Sequence, residues 1–134
     1  MKSQSSPAER GVSAIRWPAG LAPKIARLAR NLRNMKSVAV AFSGGVDSTV
    51  LAVLARDLLG PATLAVTVVS PFVSKAEQAQ ALRLARLLHL RHRLIRWDDL
   101  LETRLARNPP ERCYLCKRVI MRRILALARR EGLA

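Results

Sequence analysis

Apolar positions along the chain switch repeatedly between helical and strand spacing. Ile25, Leu28, Ala29 and Leu32 recur at helical spacing, with Lys24, Arg27, Arg30 and Arg33 on the other face. That pattern predicts an amphipathic helix over 23–34, opened by Pro23. Ser37–Phe42 is a short apolar run halted by Ser-Gly-Gly and reads as a buried strand. A second helix is expected over 48–59, closed by Gly60-Pro61. Thr63–Val69, rich in β-branched residues, reads as a second buried strand stopped by Ser70-Pro71. Ser74-Lys75-Ala76-Glu77 has the capping-box pattern, and the helix it opens runs to about Leu88, with Ala81, Leu82, Ala85 and Leu88 inward. His92–Trp97 suits a third strand, and Asp98 or Asp99 suits the cap of a short helix to about Arg107. Asn108-Pro109-Pro110 breaks the chain. From Cys113 to Glu131 the helical period returns: Cys116, Val119, Ile120, Ile124, Leu127 and Ala128 share a face, and Gly132 ends it.

Strands that alternate with helices require crossover connections, so the expected fold is α/β, a parallel sheet with helices on both faces. The 134 residues suit one domain. Ser3, Ser5, Ser6 and Pro7 mark residues 1–22 as a flexible tail, which leaves 23–134 as the folded part.

Composition narrows the picture. Half of the residues are hydrophobic but only 4% are aromatic, so the core must be built from Leu, Val, Ile and Ala. No apolar run approaches the ~20 residues that span a bilayer, and Arg16-Trp17-Pro18 interrupts any leader-like segment. No membrane association and a cytoplasmic location are the resulting expectations. Twenty-four Lys and Arg against nine Asp and Glu give a net charge of +15, a balance that favours polyanions such as nucleotide phosphates, RNA or acidic partners. The arginines are spread over several segments, however, and spread charge of this kind also solvates helices.

The strongest local signal is the turn after the first strand, "AFSGGVDST" at 41–49. Adjacent glycines let the backbone approach a ligand, successive N–H groups form an anion nest, and the following helix N-terminus adds unsatisfied donors. Ser43, Ser48 and Thr49 add hydroxyls. No lysine follows the glycines as a Walker A loop requires, and the glycines lack dinucleotide-fingerprint spacing. The plain alternative is a tight strand-to-helix turn with Asp47 or Ser48 as N-cap.

This stretch resembles the PP-loop of the N-type ATP pyrophosphatases, which cleave ATP between its α- and β-phosphates. The resemblance implies a Rossmann-like three-layer fold, ATP and Mg²⁺ as cofactors, and a pyrophosphate cradle of Ser43, Gly44, Gly45, Val46 and Ser48. It further implies that Asp47 orients the loop or holds Mg²⁺. Adenine would lie between Ala41 and Phe42 on one side and Val66, Thr67 and Val68 on the other.

A second motif is "NPPERCYLCK" at 108–117. Read alone, its C-x-x-C fits a metal half-site, a redox pair at a helix N-terminus, or two small side chains on a helix. Only His89 and His92 are available to complete a zinc site, at a spacing that matches no recognised finger. Taken with "AFSGGVDS" and "AVTVVSP", the stretch is similar to the LarE-type ATP-dependent sacrificial sulfur transferases. Arg112, Cys113, Cys116 and Lys117 belong to the matching motif; placed near the loop, Arg112 and Lys117 would offset phosphate charge, and a surface position for Lys117 is the equal alternative. Members adenylate a carboxylate of a pyridinium dicarboxylate mononucleotide, then transfer sulfur from a protein cysteine, toward a nickel-pincer cofactor.

The resemblance runs from about Lys24 to Gly132. The group's fourth strand, its Asp-Gly-Thr-Asn-like turn and its sulfur-donating cysteine would lie beyond Ala134. The expectation is thus a fold truncated after about three strands, the N-terminal part of a PP-loop domain, with Val38–Val40 as an edge strand and no catalytic residue assigned. Such a chain would take a small-molecule nucleotide substrate and either self-associate or meet a complementing C-terminal half. The charge leaves two alternatives open: a tRNA-thiolating PP-loop enzyme, which the second motif disfavours, and a non-catalytic nucleotide- or partner-binding half-domain.

Overall fold

The computed structural model describes residues 16–71, 73–97 and 110–133. Their order is α1 (Ala22–Met35), β1 (Val38–Ala41), α2 (Val46–Leu59), a 3-10 turn (Gly60–Ala62), β2 (Thr63–Val69), α3 (Lys75–Leu87), β3 (His92–Arg96) and α4 (Arg112–Arg130). Of the expected tail at 1–22, residues 1–15 lie outside the described residues, as do the short helix after Asp98 and Asn108-Pro109. Residues 19–21 form a turn into α1, with Leu21 N–H donating to Pro18 O at 2.8 Å, and Trp17 packs against the core.

The three strands form one parallel sheet in the order β1-β2-β3. Val38 pairs with Thr63 and Ala41 with Val66. Ala65 pairs with His92 and Val69 with Arg96. Successive strand residues face opposite sides of a sheet, and the core divides accordingly. Val40 and Ala65 join Leu32 of α1, Ala52 and Ala55 of α2, and Ala81 and Ala85 of α3 on one face. Leu64 and Val66 join Ile124 and Ala128 of α4 on the other, with Ala39, Val68 and Ile95 packed against them. The result is three layers: α1, α2 and α3, then the sheet, then α4.

β2 lies in the middle with both its faces covered, which suits its mostly apolar, β-branched sequence; Leu64 and Val66 are sealed from solvent. Each such side chain contributes roughly 1.5–3 kcal/mol by burial. With few aromatics, alanines seat the helices close to the sheet: Ala52, Ala55, Ala81 and Ala85 are all buried. The predicted face of α1 holds: Ala29 and Leu32 are buried, while Lys24, Arg27, Arg30 and Arg33 are exposed. That of α3 is shifted: Ala81 and Ala85 are buried with Leu84 packed beside them, whereas Leu82 and Leu88 are only half-buried and lie outside that cluster.

Caps explain the boundaries. The backbone N–H and hydroxyl of Ser74 donate to Glu77 Oε2 at 2.9 and 2.7 Å, and Glu77 N–H donates to Ser74 Oγ at 3.2 Å, a complete capping box at the start of α3. Those bonds hold the Glu77 carboxyl below its ordinary range. The helix α2 begins two residues before the expected position 48, and its N-cap is Gly45, not Asp47 or Ser48. An N-cap needs extended backbone, which Gly45 supplies at φ −73° and ψ 168°. At its far end α4 is tied to the sheet: Glu131 accepts from Arg93 Nε and Arg91 Nη2, both at 2.8 Å.

Candidate functional site

The loop that joins β1 to α2 opens onto a cleft of about 460 Å³. Its floor is the C-terminal end of the sheet, where open α/β folds bind ligands. Ala41, Phe42, Ser43, Gly44 and Gly45 line one side, and Val66, Thr67 and Val68 the other. The structure therefore gathers into one cavity all the residues that the sequence suggested beside adenine, together with the first part of the suggested phosphate loop. Val46, Asp47 and Ser48 follow as the first turn of α2.

The loop geometry is specific. Gly44 has φ +79°, a left-handed conformation that favours glycine. A Cβ at Gly44 would stand 3.0 Å from Ala81 Cα, so the loop sits directly on α3. Gly45 is different: its φ is ordinary, and a Cβ there would meet only Ser43 Oγ, at 3.4 Å.

Two serines brace the turn. Ser48 Oγ donates to Gly45 O at 3.3 Å and accepts from Ser43 N–H at 3.3 Å. Gly45 N–H donates to Ser43 Oγ at 3.3 Å, and the two hydroxyl oxygens lie 3.1 Å apart. Thr49 N–H donates to Gly45 O at 3.0 Å, the first helical bond of α2. No side chain caps this helix, so the N–H groups of Val46, Asp47 and Ser48 have no intrahelical acceptor. Aligned donors and the positive end of the helix dipole face the loop, an arrangement suited to an anion. Asp47 and Val46 are exposed there; Thr49 is half-buried, and its hydroxyl has no partner among the described residues.

Beneath the cleft runs a polar chain. Thr67 Oγ1 donates to Phe42 O at 2.8 Å and lies 2.7 Å from His92 Nε2. With its only proton directed at Phe42, the hydroxyl accepts from His92, which fixes the Nε2–H tautomer. Burial, and then the neighbouring Arg93 charge, push the His92 pKa below its usual value. The neutral ring also meets Phe42 edge-on, with centroids 6.0 Å apart.

Val73, Glu77, Gln78, Gln80, Ala81 and Ile120 complete the cleft. Sequence reasoning identified Glu77 only as a cap and Ala81 and Ile120 only as core. Their place in the cleft depends on how α3 and α4 dock, which the helical period does not report. The second motif stands apart. Cys113 and Lys117 are exposed and Cys116 is half-buried on the first turns of α4. None of these three lines the cleft, although Ile120, one turn beyond Cys116, does. Arg112 is the first residue of α4. Among the described residues no group of three His, Cys, Asp or Glu gathers to hold a metal, and no helix is long and apolar enough to cross a membrane.

A family model described as NAD synthase matches residues 25–127, from within α1 to near the end of α4. The chain belongs to the NAD synthase family, within the PP-loop superfamily of ATP-utilising enzymes. It is 33% identical over 117 residues to the pyridinium-3,5-bisthiocarboxylic acid mononucleotide synthase of Lactiplantibacillus plantarum, which covers 87% of this chain and 42% of that protein. It is thus homologous to the LarE-type enzymes. An uncharacterised protein of Synechocystis is 34% identical over 97 residues, 72% of this chain and 36% of that one. An NH3-dependent NAD synthetase from Campylobacter jejuni, solved with a nitrate ion, shares the fold at a TM-score of 0.67 and 19% identity, covering 89% of this chain and 55% of that one. The chain therefore spans less than half the length of these curated relatives.

Proposed function

We propose that the cleft binds ATP, with its triphosphate on the Ser43–Ser48 loop, and that the chain carries the ATP-binding part of a LarE-type sulfur transferase. The observation that carries the reading is the uncapped N-terminus of α2 opening from a glycine loop at the C-terminal end of a parallel sheet. In this reading the free N–H groups of Val46, Asp47 and Ser48 meet the β- and γ-phosphates. They stabilise the charge that develops on pyrophosphate as it leaves. The adenine lies over Val66–Val68 and Phe42, where backbone groups supply its contacts.

The reaction is adenylation: a carboxylate oxygen of a pyridinium dicarboxylate mononucleotide attacks the α-phosphorus and pyrophosphate departs. Mg²⁺ bound among phosphates needs only one or two protein carboxylates. The exposed Asp47 beside the free amides fits that need. Bound there, the ion would neutralise phosphate charge. The substrate assignment rests on the Lactiplantibacillus relative together with "NPPERCYLCK".

Titration calorimetry of the full chain with ATP and Mg²⁺, and separately with pyrophosphate, tests the binding. Saturable heat with both, lost in a Ser43→Ala, Ser48→Ala double variant that keeps its circular dichroism, is the expected result. Folded, monodisperse protein that gives heat with neither overturns it. Pyrophosphate release that depends on the pyridinium dicarboxylate mononucleotide tests the substrate assignment.

A further inference from the structure

The C-x-x-C at the start of α4 is absorbed neither by the cleft nor by the adenylation chemistry. We propose that Cys113 and Cys116 are a reversible dithiol–disulfide pair that exchanges with small-molecule disulfides such as oxidised glutathione. This inference does not depend on how the nucleotide cleft is used.

Three features carry it. Both cysteines are free thiols, one exposed and the other half-buried. Residues three apart on an α-helix have Cα atoms about 5 Å apart, inside the range a disulfide accepts. Their Cβ atoms, however, are roughly 5–6 Å apart in a regular helix, against about 3.8 Å in a disulfide. The turn must therefore tighten, and its position allows that. Cys113 is the second residue of α4, and the first helical bond, Leu115 N–H to Glu111 O at 2.9 Å, lies in the same turn. First-turn N–H groups have no intrahelical acceptor, so tightening there disturbs few bonds. The same pair in mid-helix would strain a complete ladder.

Exposure sets the order of events. The Cys113 thiolate attacks one sulfur of the disulfide, forms a mixed disulfide and expels one thiolate, which takes up a proton. Cys116 then loses its proton and attacks Cys113 Sγ, expelling the second thiolate. The protein loses two electrons and two protons, and one small disulfide becomes two thiols. Lys117 and Arg118, both exposed beside the pair, attract the anionic tripeptide.

The chain contains only these two cysteines, so thiol counting is unambiguous. The full chain is equilibrated in mixtures of reduced and oxidised glutathione, quenched in acid, alkylated with a maleimide and weighed. Two alkylated thiols are expected in reducing mixtures and none in oxidising ones, with a monomeric product that has lost two hydrogens. Cys116→Ser should retain one glutathione on Cys113, whereas Cys113→Ser should react several-fold more slowly. Persistence of two alkylatable thiols in oxidising mixtures, stable double glutathionylation, or disulfide-linked dimers as the main product would each overturn the proposal.

Discussion

At the scale of the residue, the two glycines of the loop do different things, and substitution separates them. Gly44→Ala places a Cβ at a positive φ and against the Ala81 backbone at 3.0 Å. Strain of this kind costs on the order of 1–3 kcal/mol, so the urea midpoint should fall, with or without nucleotide. Gly45→Ala meets no backbone and needs no unusual φ. Because alanine is the poorer N-cap, this variant should cost only about 0.5–1 kcal/mol, less than the Gly44 variant loses, while ATP affinity falls about tenfold, or 1.4 kcal/mol, because the methyl intrudes on the phosphate side. Equal loss of stability in both variants would remove the distinction. Thr67→Val tests the chain beneath the cleft. It strips the donor from the buried Phe42 O and the acceptor from the half-buried His92, leaving both unpaired, and should cost about 1–3 kcal/mol. The His92 pKa is depressed in the fold. Protonation therefore favours the unfolded chain, and the stability tied to the neutral ring is complete above the ordinary value of 6.5 and is lost as pH falls toward the folded value. The His92 ring resonances should titrate below 6.5; a midpoint above it would contradict the half-buried, neutral assignment.

At the scale of the element, the junction of β3 and α4 rests on one carboxylate. Glu131 accepts hydrogen bonds first from Arg93 and then from Arg91, which hold its carboxyl below the usual range. A depressed carboxyl contributes stability that is fully present above the unfolded value of about 4.3. That stability is lost as pH falls through the folded value. Glu131→Gln should therefore lower the thermal midpoint at pH 7 and cease to differ from the parent well below pH 4 or so. A difference that persists in strong acid would mean that the contact acts through packing alone. Much of this scale was legible in the sequence. The strand at Thr63–Val69 was readable because β-branched residues on both faces specify a central strand, and α3 because its capping box is local. The start of α2 was not, since a glycine N-cap carries no side-chain signal. For the same reason the loop residues could be named, but not the contribution of α3 and α4 to the cleft. Gly44 against Ala81, and Ile120 at the rim, are products of docking between elements distant in sequence.

At the scale of the molecule, charge and an open sheet edge act in opposite directions. Among the described residues β1 pairs only with β2, so its other edge offers backbone groups to a further strand. The outer face of α4 adds Tyr114, Met121 and Leu125, all exposed and roughly one turn or two apart. Both features favour association. Against them stands a net charge of +15 on 134 residues, with exposed arginines on α1 and on α4, on opposite sides of the sheet. Repulsion between copies is long-ranged only while the Debye length is long: about 30 Å at 0.01 M salt and about 3 Å at 1 M. Apolar and strand-edge contacts are not screened. Raising sodium chloride across that interval should therefore increase the weight-average mass in sedimentation equilibrium. ATP bound in the cleft adds negative charge to one end of the sheet and should shift the rise to lower salt. A mass that falls as salt rises would show instead that ionic contacts, not the apolar face and the strand edge, hold copies together.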